Sequence, residues 1–283
     1  MTETHAETVV VFPNARGEQL VGVYHAPAER SRATIVMLHG WSGTRCGPHQ
    51  MLTRAAREFC GHGYASLRFD FAGRGDSDGD TQLATLATMQ SDARAAFEWT
   101  RTRSDGPLWV LGLCSGCEIA VASAQSSLAG AILWSAPVFA ALPSSERAAK
   151  KRGANLQKYA RKLLSFSTYA KIVRGQIDTQ SVGKALAGGG GAASKNRESN
   201  EPGQLPPGFR RAALENWGRF EQPRLQIYGD ADPIAEEALS WYRENSAQAP
   251  DVEMIAGANH SFYGLAWERE VFGKTLAWLK RQS

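Results

Sequence analysis

Leu108-Trp109-Val110-Leu111-Gly112-Leu113-Cys114-Ser115-Gly116-Cys117-Glu118-Ile119-Ala120 is the stretch on which the fold turns. Its first four residues form a short apolar run of the length and composition of a buried strand. From Ser115 the residues become small and suit a helix. Between them, Gly112 and Gly116 bracket one reactive side chain in a G-x-Cys-x-G pattern. Small residues belong there because a strand that turns sharply into a helix leaves no room for a Cβ. Such a turn projects Cys114 at a helix N-terminus, where partial positive charge favours a thiolate.

Outward from this turn, strands and helices alternate. On the N-terminal side, Val9–Phe12 and Gln19–His25 are β-branched stretches separated by Pro13-Asn-Ala-Arg-Gly17, a hairpin turn. Ala33–Leu38 is a nearly continuous apolar run, as in a strand buried on both faces. A helix from about Pro48 to Cys60, a strand at Tyr64–Phe69 and a Gly- and Pro-free helix over Leu83–Arg103 follow. Beyond the turn come strands at Ala131–Trp134, Leu225–Tyr228 and Val252–Ile255, with helices from about Ala235 and at the C-terminus. Two antiparallel-looking strands followed by alternation predict an α/β protein with a mostly parallel eight-stranded sheet covered on both faces.

Pro143 to Glu215 breaks the pattern. Leu156, Tyr159, Leu163, Phe166, Tyr169 and Val173 recur in steps of three and four, which predicts a helical face. A Gly-, Ser- and Pro-rich run from about 187 to 208 reads as a mobile linker. Residues 143–215 hold 14 basic and 5 acidic residues, whereas the rest of the chain has 18 basic and 23 acidic. The expected organisation is therefore a core of 1–142 and 216–283, with 143–215 as a basic helical cap over the C-terminal edge of the sheet, where such sheets bind ligands.

Composition closes off several classes of function. The 283 residues are 43% hydrophobic and 21% charged, ordinary for a soluble globular protein. No apolar run approaches the ~20 residues of a membrane span, and the polar N-terminus lacks a signal-peptide pattern. A cytoplasmic location follows as the expectation. A net charge of +4 is too small to imply a nucleic-acid partner. The four cysteines do not make a disulfide framework. Cys114-Ser-Gly-Cys117 has C-x-x-C spacing, but no second pair or His cluster follows, so neither metal nor cofactor is expected. A thiol redox or ligand sensor built on Cys114 and Cys117 is the non-hydrolytic alternative.

Two further segments supply partners for Cys114. Tyr228-Gly-Asp230-Ala-Asp232-Pro233 follows one late strand, and Gly257-Ala-Asn-His260-Ser-Phe262 follows the next. A histidine takes a thiol proton, and a carboxylate holds its tautomer and stabilises the imidazolium. His260 and Asp232 are the candidates; Asp230 competes but suits a turn. Ser115 lies one place out of register to be the nucleophile.

The order nucleophile, acid, histidine on this strand pattern resembles the α/β-hydrolases over nearly the whole chain outside the linker. His39-Gly40-Trp41-Ser42-Gly43 resembles their oxyanion loop, which implies donors at the backbone N–H groups of Trp41 and Ser115. Asp70-Phe-Ala-Gly-Arg-Gly-Asp-Ser77 matches a D-x-x-G-x-G-x-S turn, whose Asp and Ser stabilise a loop in that family. Trp41, Arg45, Gly47-Pro48-His49, Arg68-Phe69-Asp70 and Tyr159-Ala-Arg-Lys-Leu-Leu164 resemble the hydrolases found with exosortase and polysaccharide systems. The cysteine departs from the family's usual serine and is similar to dienelactone hydrolase. The resemblance implies hydrolysis of a carboxylic ester or thioester through an S-acyl intermediate on Cys114, with acyl transfer to another acceptor as the alternative. The basic cap adds the expectation of an anionic or carrier-bound acyl substrate.

Overall fold

The computed structural model describes residues 6–104, 106–139 and 205–282. The chain divides into one unit of Met1–Phe139 with Ser199–Ser283 and a second of Ala140–Glu198. The helical face, most of the basic charge and most of the linker read from the sequence lie outside the described residues.

Eight strands form one sheet: β1 (Ala6–Pro13), β2 (Gln19–Ala26), β3 (Thr34–Leu38), β4 (Ala65–Phe69), β5 (Leu108–Leu113), β6 (Gly130–Trp134), β7 (Arg224–Gly229) and β8 (Asp251–Ile255). Their order is β1-β2-β4-β3-β5-β6-β7-β8. β1 pairs with β2 and β2 with β4 antiparallel; all later pairs are parallel. Every residue of β3, β4, β5, β6 and β7 is buried, which is why β3, β5 and β6 read as apolar runs, while β4 and β7 also bury Ser66, Arg68, Arg224 and Gln226.

Six α-helices accompany the sheet in the described residues: α1 (Met51–Gly61), α2 (Leu86–Arg101), α3 (Gly116–Ala122), α4 (Phe209–Gly218), α5 (Ala235–Asn245) and α6 (Leu265–Arg281). On one face, Met51, Leu52, Ala55 and Phe59 of α1 and Val271, Phe272 and Leu276 of α6 share a core with Ile35, Met37 and Trp134. Phe59 and Phe272 both pack on the Trp134 ring, at 6.2 and 5.7 Å between centroids. The remaining helices contact one another in the series α2, α3, α4, α5.

Helix boundaries follow local chemistry. α2 begins at Leu86, three residues later than the sequence pattern predicts, because Thr85 and Thr88 form a reciprocal capping box. α1 begins at Met51 rather than Pro48, because His49 and Gln50 have positive φ, 40° and 64°. Residues 209–215, assigned to the insert from their sequence, belong to α4. Its Trp217 is fully buried between Phe220 and Tyr242, which anchors the helix to the sheet-bearing unit. Among the described residues, no helix is long and apolar enough to cross a membrane.

Candidate active site

Parallel pairing brings the C-terminal ends of β3, β5, β6, β7 and β8 to one edge. Register sets the first juxtaposition: Leu38 of β3 lies beside Gly112 of β5, so the loop after β3 runs alongside the turn after β5. The Cys114 backbone sits in the left-handed region at φ 55°, an uncommon conformation for a non-glycine residue that aims its side chain out of the turn. The flanking glycines are sterically required. A Cβ on Gly112 would stand 2.6 Å from Cys117 Cα, and one on Gly116 would overlap the Leu38 carbonyl oxygen.

His260 reaches the same point from the loop after β8. Its Nε2 lies 3.0 Å from Cys114 Sγ, and its Nδ1 lies 2.7 Å from Asp232 Oδ2. The Asp232 side chain is fully buried, and its Oδ1 accepts a bond from the Ile234 N–H. Asp230 is exposed and instead accepts from the Gly257 N–H at 2.6 Å, tying the loop after β8 to the end of β7. Thus Cys114, His260 and Asp232 converge, while Asp230 does not join them.

Burial pushes the Cys114 thiol up, but the hydrogen bond and charge of His260, with Ser115 beside it, outweigh burial and hold it below the ordinary value. Burial pulls His260 down, but its bonds to Asp232 and Cys114 and their charges raise it to about 10. Both shifts favour a thiolate beside an imidazolium. Cys117 behaves differently. It is completely buried, its thiol donates to the Trp134 carbonyl at 3.4 Å, and burial pushes it well above the ordinary range.

The loop after β3 is fixed by His39, whose role was not read from the sequence. Burial lowers the His39 ring to about 4, so it is neutral, accepting from the Phe71 N–H and donating from Nδ1 to the Gly40 carbonyl at 2.8 Å. The Gly43 N–H donates to the same carbonyl. Because Gly40 C=O and Trp41 N–H belong to one planar peptide, fixing the oxygen aims the N–H the opposite way. That N–H donates to Ser115 Oγ at 2.7 Å. Trp41 and Ser115, the two predicted oxyanion-hole residues, are therefore in direct contact.

Asp70 and Ser77 hold a neighbouring loop. Asp70 accepts from the Arg45 N–H at 2.6 Å, from the Arg45 guanidinium and from the Asp76 N–H. Ser77 Oγ donates to the Asp70 carbonyl and accepts from the Val21 N–H.

A model of the alpha/beta hydrolase family matches residues 35–272. The chain belongs to that family. An esterase of Pyrococcus furiosus superposes with a TM-score of 0.64 at 20% identity, covering 98% of this chain and 91% of that one. The Butyrivibrio proteoclasticus protein Est1E, solved with ferulic acid bound, superposes with a TM-score of 0.64 at 15% identity, covering 96% and 98%. In sequence, the chain is 32% identical over 117 residues to the lysophosphatidylserine lipase ABHD12 of Xenopus tropicalis, 41% of this chain and 29% of that protein. It is 37% identical over 81 residues to the quorum-quenching protein AidA of Acinetobacter baumannii, 28% of this chain and 26% of that protein. The chain thus aligns to less than a third of the length of these curated relatives.

Proposed function

We propose that the protein is a hydrolase of carboxylic esters or thioesters that works through an S-acyl intermediate on Cys114. The observation that carries this reading is the chain of contacts from Cys114 Sγ through both nitrogens of His260 to the buried Asp232. Lipase and esterase names among the relatives support the ester class. The thiolate attacks the acyl carbon, and the carbonyl electrons move onto oxygen. Backbone N–H groups of Trp41 and Ser115 donate to that oxygen. On collapse the bond to the leaving alcohol or thiol breaks, and the imidazolium of His260 gives the departing group its proton. Water then attacks the thioester and passes its proton to His260, releasing the acid and restoring the thiolate.

The reading is tested by intact mass. Brief exposure to p-nitrophenyl esters and acyl thioesters should add one acyl group to the protein and none to Cys114→Ala. Decay of the adduct in water alone identifies a hydrolase, whereas an adduct that persists until an alcohol or amine is supplied identifies an acyltransferase. Labelling at another residue overturns the assignment.

The pH profile carries a second expectation. The reactive form has Cys114 deprotonated and His260 protonated. Accordingly kcat/KM rises as pH passes the lowered thiol value, below the ordinary one, and falls as His260 loses its proton at about 10. A rise centred on the ordinary thiol value of 9.0 would show that no ion pair forms. Cys114→Ser should lose the alkaline limb, because its hydroxyl needs a neutral histidine as base.

A further inference from the structure

The turn Gly47-Pro48-His49-Gln50 holds two non-glycine residues, His49 and Gln50, in the left-handed region. Gly47, His49 and Gln50 all have positive φ, and neither α1 nor the short turn before it gains a side-chain cap there. Besides bringing the Cys46 carbonyl to the Leu52 and Thr53 N–H groups of α1, this backbone places one ring. His49 Nε2 lies 3.1 Å from the Ser261 carbonyl oxygen, and its Nδ1 lies 2.6 Å from Glu268 Oε1. The ring also meets Tyr263 edge to face at 5.0 Å.

Glu268 makes this contact rigid. It is 2% exposed, in the first turn of α6. Arg54 of α1 grips it with two bonds, Nε to Oε2 at 2.7 Å and Nη2 to Oε1 at 2.6 Å. A buried carboxylate held by a two-pronged guanidinium is a fixed anchor, because losing either contact leaves charge uncompensated. His49 extends that anchor to the Ser261–Phe262 peptide, one residue beyond His260. From the other side, Asn259 Oδ1 accepts from the Ser261 and Tyr263 N–H groups. The turn carrying His260 is therefore held from within by Asn259 and from without by His49.

We propose that His49, anchored by Glu268 and Arg54, is a positioning residue that sets His260 at hydrogen-bonding distance from Cys114 by clamping the Ser261 carbonyl. The proposal rests on the reading of Cys114 and His260 as a working pair. Neither His49 nor Glu268 touches the reacting atoms.

The test uses iodoacetamide, which needs no knowledge of the substrate, followed by peptide mass at Cys114 across pH. Wild type should alkylate with an acid limb below the ordinary thiol value, and His260→Ala should not. His49→Phe keeps a ring against Tyr263 but removes the donor. It should slow alkylation at neutral pH about tenfold and move the acid limb upward, since small displacements of reacting groups cost rate steeply. His49→Gln, which retains a donor N–H, should recover most of the rate. His49→Ala should behave as His49→Phe and serves in its place if the larger ring prevents folding. Donor-less variants that alkylate like wild type overturn the proposal, even if their melting temperature falls, because His49 is then only a tie between α1 and the loop. Equal rates in wild type and His260→Ala overturn the underlying pair instead, whatever His49 does.

Discussion

Cys114→Ala and His260→Ala should each lower kcat/KM for an activated ester by about 10³-fold or more, with unchanged far-UV circular dichroism. The size follows from mutual dependence. Without the sulfur there is no covalent intermediate, and without the ring the thiol loses the partner that holds it below its ordinary value. Removing both should cost little more than removing either, as for groups that act as a unit. Ser115→Ala should retain much of the activity, because the donor assigned to that residue is its backbone N–H. An active Cys114→Ala enzyme, or a folded but dead Ser115→Ala enzyme, would move the nucleophile elsewhere.

Gly116→Ala should be strongly destabilising. The added carbon would collide with the Leu38 and His39 carbonyl oxygens, which belong to the backbone at the end of β3. Neither can rotate away as a side chain would. Overpacking in a close-packed interior costs about 1–3 kcal/mol and more where nothing yields, so this variant should lie at or above the top of that range. Urea titration gives the direct measure, as a lower midpoint at similar slope. Gly218→Ala is the control: a Cβ there meets nothing within 4 Å, and a helical position gains from the change. If the two variants unfold at the same midpoint, β3 and α3 do not approach as closely as their glycine implies.

The elements that were legible in sequence are those whose residues face one environment. β3 is buried throughout and reads as an apolar run, and the Gly112–Gly116 turn reads as a sharp bend because its sterics exclude a side chain. The loops bearing Asp232 and His260 were found because each follows a strand directly. Where two environments compete, the reading slipped. β5 continues through Gly112 to Leu113, two residues past the boundary that the glycine implied, since its ladder to β6 runs on to Trp134. α4 straddles the boundary drawn at Glu215, because strand–helix alternation resumes only near Arg224, whereas its docking residue, Trp217, comes just after that boundary. The clamp of His49, Arg54 and Glu268 could not be read at all. Glu268 stands more than two hundred positions from His49 and Arg54, and only the meeting of α1 with α6 brings it to them. His39 was seen as part of a loop motif, but its neutral, buried ring became evident only once Phe71 stood beside it.

A ligand oxygen reaches the Trp41 N–H only by evicting the Ser115 hydroxyl that already lies there. For a substrate in its ground state this is a near-even exchange, one neutral acceptor replacing another, so little binding energy is gained. For the oxyanion of the tetrahedral intermediate the exchange is favourable, since a charge-assisted hydrogen bond is roughly twice as strong as a neutral one. The resident hydroxyl thereby sets a threshold that only developing charge clears. On the proposed mechanism, stabilisation at this amide would be withheld from the bound ester and granted to the transition state, and so would contribute to turnover rather than to substrate affinity.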